Sequence, residues 1–95
     1  MPRYSAKIKV NFKEGVTDPE ANSVKNALNR LGFREIHHVK RSIVYDLKEI
    51  SATTLDNAYN KAEEICKKLL TNPVKDDYEI EIKEINYLEY IKLRR

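Results

Sequence analysis

His37 and His38 are the only imidazoles in the chain, and they stand side by side. Neighbours in an extended segment point to opposite faces, so the pair cannot grip one ion or share one proton transfer. Cys66, the single cysteine, falls with Ala62, Ile65 and Leu69 on a helical stripe that reads as buried. A thiol there acts as a small hydrophobe with a raised pKa, a poor nucleophile. It has no partner for an internal disulfide, and neither a C-x-x-C nor a Cys/His cluster is present to hold zinc. Carboxylates concentrate at Asp76-Asp77 and at Glu79 and Glu81, without a glycine loop or a histidine nearby, and so read as solvated turn and strand charge. The two glycines, Gly15 and Gly32, serve a turn and a helix end and leave none for a phosphate cradle. These residues therefore predict no catalytic group, no metal and no cofactor on this chain.

The elements that would carry these groups follow from hydrophobic period. Tyr4, Ala6, Ile8, Val10 and Phe12 alternate with Lys7, Lys9 and Asn11, which predicts a half-buried strand from Arg3 to Lys13. Asp18 before Pro19 is a helix cap with proline at the first position, where its missing N–H costs nothing. Val24, Ala27, Leu28 and Leu31 form one stripe, and Gly32 can take the left-handed turn that ends a helix, so the first helix spans Pro19 to Leu31. Ile36 and Val39, then Ile43 to Leu47, predict two short strands around a basic turn at Lys40-Arg41-Ser42. Ser51 to Thr54 caps a second helix with the stripe Leu55, Ala58, Tyr59, Ala62, Ile65, Cys66, Leu69 and Leu70. Thr71-Asn72-Pro73 stops it, and Tyr78, Ile80 and Ile82 alternate with Glu79, Glu81 and Lys83 as a last strand.

The order β-α-β-β-α-β predicts an α+β fold of ferredoxin-like topology: a four-stranded antiparallel sheet with both helices on one face and the other face open. The first and last strands are then neighbours, so Lys7 and Lys9 face Glu79 and Glu81 across the open side. Tyr4, Phe12 and Tyr78 share a face with the aliphatic residues, which places them in the core. That removes the aromatic platform on which such a sheet stacks RNA bases.

At 95 residues, 41% hydrophobic and 35% charged, the chain closes one core, a single domain over 1–95 with its core at about 3–85 and a C-terminal extension at 86–95. The extension carries Tyr87, Leu88, Tyr90, Ile91 and Leu93, whose spacing fits neither helix nor strand cleanly. A chain this short buries only about 60% of its unfolded surface, so association is expected on size alone. The net charge of +3 is spread along the chain, and interleaved acids break any stripe that would track phosphates, so nucleic acid is not an expected partner. No apolar run reaches the ~20 residues that span a bilayer, and no signal-peptide core is read. With the lone cysteine, this predicts a soluble protein of the reducing cytoplasm.

The segment Cys66-Lys67-Lys68-Leu69-Leu70-Thr71-Asn72-Pro73-Val74-Lys75-Asp76-Asp77-Tyr78 resembles the helix-to-strand signature of the PurS family, the small subunit of phosphoribosylformylglycinamidine (FGAM) synthase. The stretch Lys13-Glu14-Gly15-Val16, Asp18-Pro19, Val24, Ala27-Leu28 and Leu31-Gly32 is similar to the same family's first strand, cap and first helix, and the likeness covers about residues 4 to 85. The chain departs at Val39-Lys40-Arg41-Ser42-Ile43, where members usually carry a Val-Arg-x-Gly-Lys run, and its tail passes the family's usual end.

The resemblance implies a non-catalytic subunit in purine biosynthesis, for the ATP- and glutamine-dependent conversion of formylglycinamide ribonucleotide to FGAM. A PurL-type synthetase subunit would bind ATP and magnesium, a PurQ-type glutaminase would release ammonia, and this chain would join them and assist ammonia transfer. It also implies a homodimer or a tetramer of dimers. The candidate contact surfaces are the open sheet face, with Lys7, Lys9, Glu79 and Glu81, and the turn Asn72-Pro73-Val74. The competing functions are a ferredoxin-like regulatory module that senses a small ligand between subunits and, behind it, an RNA binder.

Overall fold

Three antiparallel strands and two helices build the chain in a computed structural model that describes residues 2–86, 88, 91 and 92. Strand β1 spans Arg3–Phe12, helix α1 Pro19–Arg30, strand β2 Ser42–Ser51, helix α2 Leu55–Ile65 and strand β3 Asp76–Glu84. A π-helical turn, Cys66–Leu70, prolongs α2 to the predicted end of the second helix.

The period-2 pattern of β1 does what it predicts: Tyr4, Ala6, Ile8 and Val10 are buried, with Ile8 wholly inaccessible. The sheet order is β2-β1-β3. β1 pairs β3 with Ala6 opposite Ile82, Ile8 opposite Ile80 and Val10 opposite Tyr78, and pairs β2 with Ile8 opposite Tyr45 and Ala6 opposite Leu47. Helix α2 lays Ala58, Ala62 and Cys66 on this face at fourfold spacing, and all three are fully buried. Their small side chains let the helix axis come close to the strands.

The caps form where the sequence puts them. The Asp18 carboxylate accepts from the N–H groups of Glu20 and Ala21 at 3.1 and 3.2 Å, and Thr54 Oγ1 accepts from the Asn57 N–H at 3.1 Å. Gly32 ends α1 at φ +104°, a left-handed conformation that side chains resist.

Two expectations fail. The sheet has three strands rather than four: Ile36 and Val39 form no strand, and Lys40-Arg41-Ser42 is not a hairpin turn. β2 begins at Ser42 opposite Asn11, one residue short of the end of β1, so residues 36–41 lie past the sheet with no strand to pair against. They run back along α1, where the Asn29 side-chain amide donates to the carbonyls of Phe33 and Ile36 at 2.9 and 3.3 Å. The two helices also do not share a face. Only α2 packs on the sheet, against β1 and β3, while α1 and residues 33–41 project as an arm. The arm stretches the molecule to 52 × 31 × 17 Å, with a radius of gyration of 17.5 Å against ~12.4 Å for a compact chain of this length. In consequence Leu31, on the predicted apolar stripe, is 74% exposed, and Val24 and Phe33 are half exposed.

Leu69, read as buried, is instead 79% exposed. The π turn is the cause: its wider ring, closed by the Thr71 N–H on the Cys66 carbonyl at 3.0 Å, advances each residue by a smaller rotation, keeping Leu70 against the core and turning Leu69 outward. In the extension, Leu88, Ile91 and Lys92 are helical and Ile85 just before them is buried, whereas Tyr87, Tyr90 and Leu93 lie outside the described residues.

Candidate functional site

The open sheet face is a charge lattice set by the strand register. Lys7 stands between Asp46 on β2 and Glu81 on β3, and Lys9 between Val44 and Glu79. The expected facing of Lys7 and Lys9 with Glu81 and Glu79 is thus the observed register. All four side chains are exposed, and no ion pair within 4.0 Å joins them, so they remain available to a partner. Toward the end of β3, Ser5, Lys7, Asp46, Lys48, Glu81, Lys83, Ile85 and Lys92 line a cleft of about 670 Å³. Its cations and anions alternate, which suits a protein surface with matching charges better than a run of phosphates.

The second candidate surface, Asn72-Pro73-Val74, is a turn held by its own bonds. The Asn72 side-chain oxygen accepts from the Val74 N–H at 2.9 Å, the Asn72 N–H donates to the Asp76 carboxylate at 2.8 Å, and the Asn72 carbonyl accepts from Asp76 N–H at 2.8 Å. Lys13 N–H on the Lys75 carbonyl at 2.7 Å, and a Lys13–Asp77 ion pair at 3.4 Å, tie the turn to the end of β1. This rigid turn presents Val74 at 83% exposure, with exposed Leu69 just before it. The structure does not join the two candidate surfaces: the turn closes the sheet at Asp76, ~17 Å along β3 from Glu81.

Two features had no part in the sequence reading. Arg41 reaches across to the cap of α1, its Nε 3.1 Å and Nη2 3.2 Å from the two Asp18 oxygens and its Nη1 3.0 Å from Glu20. The guanidinium bonded to Asp18 holds that carboxyl below the usual carboxylate range, against the opposing pull of desolvation and with help from the Ala21 N–H. This clamp fixes where the arm leaves the sheet. The other is Glu49, which occupies φ +60° at a bulge where Lys48 and Glu49 together oppose Ser5. Its Oε1 is buried and takes no hydrogen bond from any described residue.

The two histidines and the cysteine are dispersed. His37 and His38 are both exposed in the irregular return segment. Cys66 is buried against the sheet, and burial, reinforced by the Glu63 carboxylate, pushes its thiol above the ordinary range. Among the described residues no three His, Cys, Asp or Glu side chains converge as metal ligands, and no helix is long and apolar enough to cross a membrane.

What the geometry offers is exposed, charged and apolar surface rather than a cluster of reactive groups among the described residues. The sequence profile of PurS, described as phosphoribosylformylglycinamidine (FGAM) synthase, matches residues 5–84. The chain belongs to the PurS family. The PurS subunit of phosphoribosylformylglycinamidine synthase from Methanocaldococcus jannaschii is 37% identical over 82 residues, 86% of this chain and 98% of that one. The crystal structure of M. jannaschii PurS, one of the subunits of formylglycinamide ribonucleotide amidotransferase in the purine biosynthetic pathway, superimposes with a TM-score of 0.76 over 87% of this chain and 99% of its own. A chain in the structure of PurLQS from Thermotoga maritima, 25% identical, gives a TM-score of 0.69 over 90% of this chain and all of that one. The family match stops at residue 84, where β3 ends.

The sequence held a signal for the Arg41 clamp only in hindsight, since nothing in its spacing tied Arg41 to an aspartate 23 positions earlier. Glu49 left no signal at all, because an insertion of one residue in a ladder shows only once the register of both strands is known.

Proposed function

We propose that this chain is the small, non-catalytic subunit of phosphoribosylformylglycinamidine synthase in purine biosynthesis, a glutamine-hydrolysing ligase complex. The observation that carries this is the family match over residues 5–84 at the full length of its relatives, together with the PurLQS chain that shares the fold. In this reading the chain contacts a PurL-type synthetase and a PurQ-type glutaminase. ATP, magnesium and ribonucleotide sit on the synthetase and glutamine on the glutaminase. The subunit's work is positional: ammonia protonates in bulk water, so holding the two sites close and shielded preserves the neutral nucleophile between its release and its use. The open face with Lys7, Lys9, Glu79 and Glu81, and the turn Asn72-Pro73-Val74, are the surfaces assigned to these contacts. The reading places the protein in the cytoplasm as a homodimer or tetramer.

The test is glutamine-dependent FGAM formation by the cognate synthetase and glutaminase, with and without this chain, alongside co-elution of the three on a sizing column. Activity that appears only with the chain supports the bridging role. Unchanged activity without co-elution sinks it.

A further inference from the structure

The cleft on the open sheet face gathers positive charge around one hydroxyl. Ser5 on β1 stands between Lys83 of β3 and the Lys48–Glu49 bulge of β2, so the two lysines flank it from strands ~10 Å apart. One step along the same face, ~7 Å away, Lys7 stands between Asp46 and Glu81. Lys92 lines the cleft from beyond β3. Buried Ile85, whose N–H donates to the Arg3 carbonyl at 2.8 Å, fixes where the chain leaves the sheet to bring it there.

The four ammonium groups outnumber the two carboxylates, which leaves an excess of two positive charges around about 670 Å³. Among the described residues, Lys7, Lys48 and Lys92 make no ion pair within 4.0 Å, and neither do Asp46 and Glu81. At the other clefts Lys13 is bonded to Asp77, Arg41 to Asp18 and Glu20, and Lys67 to Glu63. Ammonium groups held over one hydroxyl repel each other until an anion sits among them.

A phosphate monoester carries about two negative charges near neutral pH, which matches the excess. Lysines bind phosphate as point charges, and a serine hydroxyl can donate to its oxygens. The Asp46–Lys7–Glu81 row sets the polarity. Its carboxylates repel the phosphate and accept hydrogen bonds from hydroxyls at the ligand's other end. The volume falls in the range of small-ligand sites, about 300–1,000 Å³, and far exceeds what inorganic phosphate fills. The acids that break up a run of phosphates thus orient a single one.

We propose that this cleft binds a phosphorylated sugar, its phosphate on the Lys48–Ser5–Lys83 row beside Lys92 and its hydroxyls toward Asp46 and Glu81. The proposal goes beyond the enzyme-subunit reading and does not rest on it. Lys92 lies outside residues 5–84, which the family profile matches, so the proposal gives the C-terminal extension a task.

The experiment titrates ribose 5-phosphate, ribose and inorganic phosphate into the full-length chain by isothermal titration calorimetry, at low and high salt. Ribose 5-phosphate should bind about tenfold more tightly than inorganic phosphate, lose affinity as salt rises, and outcompete ribose, which should not bind. The variant K48A/K83A, with its fold checked by circular dichroism, should bind about 30-fold more weakly, and K92A about fivefold more weakly. K68A removes the same charge from the helix layer, at a side chain 74% exposed, and should bind as the wild type does. No binding of ribose 5-phosphate, inorganic phosphate that binds as tightly, or K48A/K83A and K92A that both match the wild type overturns the proposal. Failure of the enzyme-subunit reading shows differently, as a chain that binds the sugar phosphate and adds nothing to FGAM synthesis.

Discussion

Replacing Glu49 with glycine should stabilise the protein. Glu49 sits at φ +60°, a conformation that costs an L residue roughly 1–2 kcal/mol over its right-handed counterpart. Glycine adopts it freely but gives back ~0.5–1 kcal/mol through the larger entropy of its unfolded chain. The substitution also removes a carboxylate whose Oε1 is buried without a hydrogen bond, recovering about 1 kcal/mol, the low end for an unsatisfied group because the side chain is only half-buried. The sum is a gain of ~1–2 kcal/mol, and each kcal/mol raises the melting temperature of a domain this size by about 4–8 °C. Glu49→Ala separates the two parts: alanine keeps the strained φ and loses the carboxylate, so it should melt between wild type and Glu49→Gly. The assay is thermal and urea denaturation followed by circular dichroism at one fixed protein concentration, since association couples stability to concentration. A Glu49→Gly variant that melts below wild type, or an alanine variant above the glycine one, refutes the reasoning and means that the carboxylate is partnered in the assembled protein.

Other outcomes follow from the same structure. Ile8→Ala empties the centre of the core, where the side chain is wholly inaccessible, and should cost about 3–4 kcal/mol in urea unfolding. Leu69→Ser and Val74→Ser, at 79% and 83% exposure, should leave the isolated chain's stability within ~0.5 kcal/mol while weakening co-elution with the synthetase or glutaminase. Arg41 holds Asp18 in its charged form, with a folded pKa below the unfolded value. The stability this adds is present above about pH 4 and lost as pH falls through the folded value, so the gap between wild type and Arg41→Ala should be level near neutrality and close in acid. Cys66 runs the other way: its folded pKa is raised, so the unfolded chain loses the proton first and stability should fall as pH rises above about 8.5. Alkylation of Cys66 at pH 8 should accordingly proceed no faster than the chain unfolds.

The strands, helices, caps and helix stops that rest on short-range rules were legible. The period-2 run of β1, Asp18 before Pro19, Gly32 after the first helix and Thr71-Asn72-Pro73 after the second each act within a few residues, and each appears in place. So does the adjacency of the first and last strands, which follows from the handedness of crossovers and sets Lys7 opposite Glu81. The lack of clustered catalytic residues in the sequence, with the PurS resemblance from Cys66 to Tyr78, points to a contact-making subunit. The residues expected to make contacts lie on an exposed, charged sheet face and on a turn held by its own bonds with Val74 exposed.

Tertiary structure decided the rest, where choices depend on partners far along the chain or on another chain. An apolar stripe states that a helix face will be covered, but not by what. Val24 and Leu31 read as core, yet α1 leaves the sheet, with its cap bonded to Arg41 at the foot of β2. Ile36 and Val39 have strand chemistry, but a strand exists only where another offers its hydrogen bonds, and β1 ends before reaching them. Leu69 shares the helical period of Cys66 until a single π turn, visible only in the hydrogen-bond ring, rotates it out. The amino-acid sequence by itself thus determined the elements and their faces, because these are local, whereas which faces meet was left to long-range register and charge pairing in the folded chain.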